Sequence, residues 1–175
     1  MPFEHCSECK RCCNVDPGYA PLEITLTAKE TKTYRSICIE RHCQYLGKQG
    51  CTLGKAKPFS CKMYPLVYKP STQEFLYDTE CPVMPKYIGQ LKIAGSQANE
   101  HLAFIQKEIA VLSQKDEDFL ERNFGIDEQY FETKKLPLAN IPNIPNIPNI
   151  PNIPNISTKR ATHSKRAADK NAVRS

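Results

Sequence analysis

No stretch of the 175-residue chain approaches the roughly 18 apolar residues that a membrane span requires. The start, Met1-Pro2-Phe3-Glu4-His5-Cys6, has no apolar run of the kind a secretory signal carries. A Gly-rich turn between a strand and a helix, which a dinucleotide-binding fold uses to approach phosphate, is missing too. The first two absences lead to the expectation of a soluble, cytoplasmic protein without a membrane partner. The third argues against a nucleotide-dependent enzyme.

Cysteine, by contrast, is plentiful: nine residues, eight of them between Cys6 and Cys61. Disulfides need an oxidising compartment, and an odd count leaves one thiol over. In a reducing cytosol clustered cysteines are expected to serve as ligands or redox groups. The cysteine-rich stretch ending at Cys81 is only about half of the chain, a marginal size for a core by itself.

The net charge of +5 has a definite location. From Lys134 onward stand eight Lys or Arg and one acid, so residues 1–133 carry 16 basic and 18 acidic side chains. A solvated terminus accounts for this, and the same charge allows weak, non-specific attraction to nucleic acid through the tail.

Along the chain, Cys6-Ser7-Glu8-Cys9-Lys10-Arg11-Cys12-Cys13 is followed by the turn signal Pro17-Gly18. The alternation in Pro21-Leu22-Glu23-Ile24-Thr25-Leu26 predicts a short strand. Thr27-Ala28-Lys29-Glu30 is a capping box that predicts a helix running to about Glu40 and delivering His42 and Cys43 from its end. Cys51 falls in a loop and Cys61 in a short turn. Pro65–Lys69 and Glu74–Asp78 flank Pro70-Ser71-Thr72-Gln73 as a hairpin.

From about Lys86 the apolar period becomes helical: Leu91, Ala94, Ala98, Leu102, Ile105, Ile109 and Leu112 share one face. Gly95 is a point of interruption, and Asp116–Asn123 with Gly125 predicts a further helical piece and its C-cap. That apolar face packs on the cysteine domain or takes a protein partner. Between Asn140 and Ile156 the triplet Asn-Ile-Pro recurs five times, which forbids helix and sheet and favours an extended, disordered spacer. The expected fold class is therefore α+β: a small, irregular, metal-stabilised cysteine domain over 1–89, an amphipathic helical extension over 90–133, and a disordered tail over 134–175.

The step of three in Cys6-x2-Cys9-x2-Cys12 lets a turn-rich backbone bring three sulfurs to one side. In extended structure consecutive side chains point apart, so Cys12 and Cys13 are expected to serve two metals, or one cluster and a neighbouring contact. Cys43, Cys51, Cys61 and Cys81 would complete two four-coordinate centres. Zinc takes four thiolates at about 2.3 Å, and structural zinc contributes on the order of 10–16 kcal/mol in zinc-finger peptides. Typical small domains have only about 5–15 kcal/mol in total, so the fold is expected to depend on its metal.

At these residues the chain resembles the CxxCxxCC cysteine-cluster family, often called YkgJ-type and described as a zinc- or iron-chelating domain. Cys6 to Cys13 match its signature, and Ile24-Thr25-Leu26-Thr27 with Glu30 is similar to its strand and helix start. Cys43-Gln44-Tyr45-Leu46, Gly50-Cys51-Thr52-Leu53, Lys57-Pro58-Phe59-Ser60-Cys61-Lys62-Met63-Tyr64-Pro65-Leu66 and Cys81 resemble the rest, so the likeness spans roughly 4–89. It departs at Lys57, where the family usually has arginine, at Cys38, and in the tail. The resemblance implies a metal set of Cys6, Cys9, Cys12, Cys13, Cys43, Cys51, Cys61 and Cys81. A likeness shared with flagellin lysine methylase implies methyl transfer as an alternative, and a zinc-dependent nucleic-acid or protein interaction module is a third class.

All-thiolate coordination suits zinc or an iron–sulfur cluster. Where a ferredoxin run ends in Cys-Pro this chain has Asp16-Pro17, which argues against a plain two-cluster ferredoxin, while the close three-cysteine run suits the corners of an iron–sulfur cluster. His5 and His42 flank cysteines and are expected to stand behind or outside the ligands. Cys38, on the predicted helix, is expected to be a buried thiol. Lys10, Arg11 and Lys62 adjoin ligands, where they offset thiolate charge or are merely solvated.

Overall fold

The computed structural model describes residues 9–138. Cys6, His5, the Asn-Ile-Pro repeat and the basic residues beyond it lie outside the described residues. The architecture is α+β, with helices and small antiparallel sheets.

Strand β1 (Leu22–Glu23) pairs with β2 (Cys38–Ile39), and helix α1 (Ala28–Tyr34) connects them. The capping box forms: the Thr27 hydroxyl accepts from the Glu30 amide at 3.2 Å, and Glu30 Oε2 accepts from the Thr27 amide at 3.0 Å. The other oxygen, Glu30 Oε1, accepts from the Phe59 amide at 2.8 Å, so the cap also fixes the start of helix α2 (Phe59–Met63). Helix α1 ends at Tyr34 rather than near Glu40, because Arg35 takes a positive φ of 57° and the chain turns to build β2. Ile37 and Ile39 are buried there, a gain that continuing the helix would forfeit. Cys38, on the opposite face of that strand, is exposed, which corrects the expectation of a buried thiol on a helix.

A tight hairpin of β3 (Leu46–Gly47) and β4 (Gly50–Cys51) follows, its return made by Gly50 at φ 101°. Beyond α2, β5 (Leu66–Lys69) and β6 (Glu74–Asp78) form the expected hairpin. Helices α3 (Met84–Leu91), α4 (Gln97–Lys115) and α5 (Glu117–Tyr130) come next, and then β7 (Thr133–Lys135) pairs antiparallel with β6. Gly95, at φ 72°, does separate α3 from α4, and the Ser96 hydroxyl caps α4 by accepting from the Asn99 amide. Gly125, by contrast, lies inside α5 rather than ending it.

The main core joins α2, the β5–β6 hairpin and all three later helices: Met63, Leu66, Phe75, Tyr87, Leu91, Leu102, Ile105, Ile109 and Phe119 are buried in one cluster. The predicted apolar face of α4 is thus covered within the chain rather than offered to a protein partner; Ala94, in the turn before it, is exposed. The expected division at 89/90 falls inside α3, and that at 133/134 falls inside β7. Order continues past residue 134 because Leu136 is buried and its amide donates to the Phe75 carbonyl at 2.9 Å. Among the described residues no helix is long and apolar enough to cross a membrane.

Candidate thiol site

Cys12 and Cys13 sit in a single 3-10 turn (Arg11–Cys13) opened by Lys10 in the left-handed region, φ 52°. The Lys10 carbonyl accepts from the Cys13 amide at 2.9 Å and from Asn14 Nδ2 at 2.7 Å, which locks the turn. In this tight conformation the two thiols are close enough to interact, and Cys12 is the largest influence on the Cys13 thiol. The chain then runs antiparallel to residues 41–43. The Val15 amide donates to the Arg41 carbonyl, the Cys43 amide to the Cys13 carbonyl at 2.8 Å, and Asn14 bridges His42. His42 Nδ1 is hydrogen-bonded to Asn14 Oδ1, so this histidine helps orient the cysteine loop from behind.

Cys43 leads into the β3–β4 hairpin, where the Leu46 amide donates to the Cys43 carbonyl at 2.9 Å and Leu46 pairs with Cys51. Cys61 enters from α2, whose Ser60 hydroxyl donates to the Thr25 carbonyl at 2.8 Å. Four segments thereby bring Cys12, Cys13, Cys43, Cys51 and Cys61 to the wall of one cavity of about 60 Å³, with Lys57 beside them. The Cys43 thiol is pushed up by burial and by the charges of Cys13 and Cys51. Burial pushes Cys61 up to about 12, with Lys57 opposing it. Cys13 is raised chiefly by its hydrogen bond to Cys12, then by burial. These thiols hold their protons, so any cation taking them as thiolates must displace protons.

A second group lies on the other side of Cys12. Cys81 is buried, and burial raises its thiol, with the Val83 backbone and the Tyr64 hydroxyl opposing that and the charges of Asp78 and Cys9 adding to it. Tyr64 donates to Asp78 Oδ2 at 2.7 Å, and its own pKa is raised by burial, by that bond, and by Cys81 and Cys12 nearby. Cys12, Tyr64 and Asp78 also line a polar cleft of about 140 Å³. Cys12 borders both spaces, and Cys9 and Cys81 lie off the first. Cys38 joins neither. The described cysteines form no disulfide. Among the described residues no three Cys, His, Asp or Glu side chains converge into a group that could hold a metal ion as placed.

Of the two alternatives for the basic residues next to the cysteines, the contacts fit solvation rather than an offset of thiolate charge. Arg11 pairs with Glu80 at 3.0 Å on the surface, the Lys10 ammonium donates to the Lys48 carbonyl, and Lys62 contributes its carbonyl to His101 Nε2. The cation that opposes the upward shifts of Cys13, Cys43 and Cys61 is Lys57, which is only 7% exposed. The sequence signal for it was the break before Pro58: a lysine at the mouth of a short helix that carries a cysteine. Comparison of the chain with protein-family models, curated proteins and solved structures finds no match.

Proposed function

We propose that the chain binds zinc or iron through cysteine thiolates, in a structural or redox role. The inner centre uses Cys13, Cys43, Cys51 and Cys61, and the outer set is Cys9, Cys12 and Cys81 with Cys6. The observation that carries this reading is the common cavity: thiols from four separate segments line one small space in a part of the chain with little apolar core of its own. Chemically the donor set fits, since soft thiolates select zinc or iron–sulfur clusters over hard cations. Backbone hydrogen bonds at Cys13 and Cys43 hold the two cysteine loops in register, and a cysteine sulfur has a single side-chain torsion to set. His42 orients the loop through Asn14. Bound metal would supply a cross-link among four segments, and with iron a site for electron transfer. The resemblance of residues 4–89 to the CxxCxxCC family supports the same reading.

Anaerobic purification followed by metal analysis and a visible spectrum tests it. The expected result is iron with charge-transfer absorption, or stoichiometric zinc without colour. Folded full-length protein containing neither would overturn the proposal.

A further inference from the structure

We infer that the polar cleft of about 140 Å³ takes a small quaternary ammonium compound, its methylated head against a wall of aromatic rings and its charge answered by Asp78. Three rings form that wall. Phe131 stands between Tyr64 and Tyr130, each at 5.5 Å between ring centroids, with the planes inclined at 51° and 70°. The Tyr130 hydroxyl donates to the Ala20 carbonyl at 3.1 Å and the Tyr64 hydroxyl to Asp78 Oδ2 at 2.7 Å, so both outer rings are pinned at their tips. Tyr19 adds a fourth ring at the rim. The turn at Gly18, φ 94°, presents it there, and the side chain is left 69% exposed.

The acids of the cleft outnumber its cations. Asp16, Asp78 and Glu80 line it with one basic group, Arg11, and Arg11 is paired with Glu80 at 3.0 Å. Asp78 is only 4% exposed, and its oxygens are met by neutral donors: the Tyr64 hydroxyl at Oδ2 and the Glu80 amide at Oδ1, 2.9 Å away. A carboxylate buried to this degree is ordinarily paired with a cation, yet none of the ion pairs among the described residues includes Asp78. A metal ion does not fit that place, because among the described residues these carboxylates do not converge into a group that could hold one. A primary ammonium fits poorly as well, since it brings three N–H donors and each Asp78 oxygen already accepts from the protein. A quaternary ammonium donates no hydrogen bond and needs aromatic faces with a negative charge close by, which the cleft supplies. The inference uses no thiol and stands apart from the metal-binding reading.

Isothermal titration calorimetry of the full chain with choline and with tetramethylammonium is the test. Both should bind, and the neutral analogue of choline, with carbon in place of nitrogen, should bind at least about tenfold more weakly, because it keeps the shape and loses the charge. Asp78→Asn should weaken choline binding about tenfold or more. Tyr19→Ala, at an exposed position where folding is not at stake, should weaken it about two- to fivefold, and Tyr19→Phe should match the parent. Phe104→Ala removes an exposed aromatic outside the cleft and should change nothing. Failure of both cations to bind at millimolar concentration would overturn the inference. So would equal binding of choline and its neutral analogue, or parent-like binding by either Asp78→Asn or Tyr19→Ala. Thermal unfolding of Asp78→Asn separates weakened binding from a failure to fold, and if that variant does not fold, the Tyr19 pair decides the outcome.

Discussion

Between Cys9 and Pro58, three buried apolar residues, Val15, Leu22 and Ile39, gather into a cluster; between Phe59 and Leu136, seventeen do. The first region has two-residue strands and a seven-residue helix, and the second has a three-stranded sheet with helices of up to 19 residues. Leu26 and Ile37 are buried there as well, but the region's own apolar set is small for about fifty residues. Even its small cluster borrows Ile126, Tyr130 and Phe131 from the end of α5 and the residue after it. The difference teaches that the two regions have different adhesives: buried hydrocarbon in one, and in the proposed reading thiolate–metal bonds in the other. It also locates the seam. Helix α5 faces both, through Tyr130 Oη donating to the Ala20 carbonyl at 3.1 Å and Arg122 reaching the Leu26 carbonyl.

The largest expected effect breaks the comparison at its thiol side. Cys13→Ser, Cys43→Ser or Cys61→Ser should release the metal of the inner centre and unfold much of residues 9–58, because binding and folding are linked there. Residues 59–136 should stay folded. Amide hydrogen exchange read segment by segment distinguishes this from global unfolding, and uniform loss of protection would show that the two regions are one cooperative unit.

On the hydrocarbon side, Phe119 is fully buried against Phe59, with ring centroids 5.9 Å apart. Phe119→Ala should cost about 3–5 kcal/mol in urea denaturation. Ending the chain after Glu132 should cost somewhat less, about 2–4 kcal/mol, since it removes β7 and the buried Leu136. Ending it after Leu138 should change the unfolding midpoint little, because both core clusters are complete by that residue. If the two truncations behaved alike, β7 would not belong to the fold.

Asp127, on α5, sharpens the seam. It lines the thiol cavity and accepts from Asn123 Nδ2 at 2.7 Å, yet burial pushes its carboxyl up to about 8. The unfolded value is near 3.9. An acid raised in the fold stays neutral there while the unfolded chain ionises, so stability falls as pH rises from about 4, and the full cost is present above about 8. Asp127→Asn keeps an acceptor for Asn123 without the charge. It should be more stable than the parent by on the order of 1–3 kcal/mol at pH 9, with the gap closing toward pH 4. Melting curves across that range check the sign, and a gap that widened on acidification would contradict the assignment.

Where the sequence pattern was long and regular, it was legible. The capping box at Thr27 and Glu30, the hairpin around Pro70–Thr72, and the face formed by Leu102, Ile105 and Ile109 follow from local chemistry and periodicity. What stayed hidden depended on contacts distant in sequence. The early stop at Arg35 is a tertiary choice, made because Ile39 finds Val15 and Leu22. Strand β7 is three residues with two lysines, and it is a strand only because the edge of β6 is there. At the site, spacing alone grouped the cysteines, but it could not show that the turn at Lys10 brings Cys12 and Cys13 together. Nor could it show that Lys57 is buried.

The smallest expected effect is at Cys38, and it separates cysteines that matter from one that does not. In β2 Cys38 pairs with Glu23 across the sheet, on the face opposite Ile39, and its side chain is exposed. It lines neither the cavity nor the cleft. Serine is nearly the same size and gains only a hydroxyl that water solvates, and strand pairing there runs through the backbone. Cys38→Ser should therefore shift stability by less than about 0.5 kcal/mol and leave metal content unchanged. Cys81→Ser is the matched opposite: the residue is buried and belongs to the main core cluster, so its replacement should lower both metal content and the unfolding midpoint. Measured side by side, metal lost from Cys38→Ser and kept by Cys81→Ser would move the ligand set onto β2 and undo the division of thiols into an inner and an outer group.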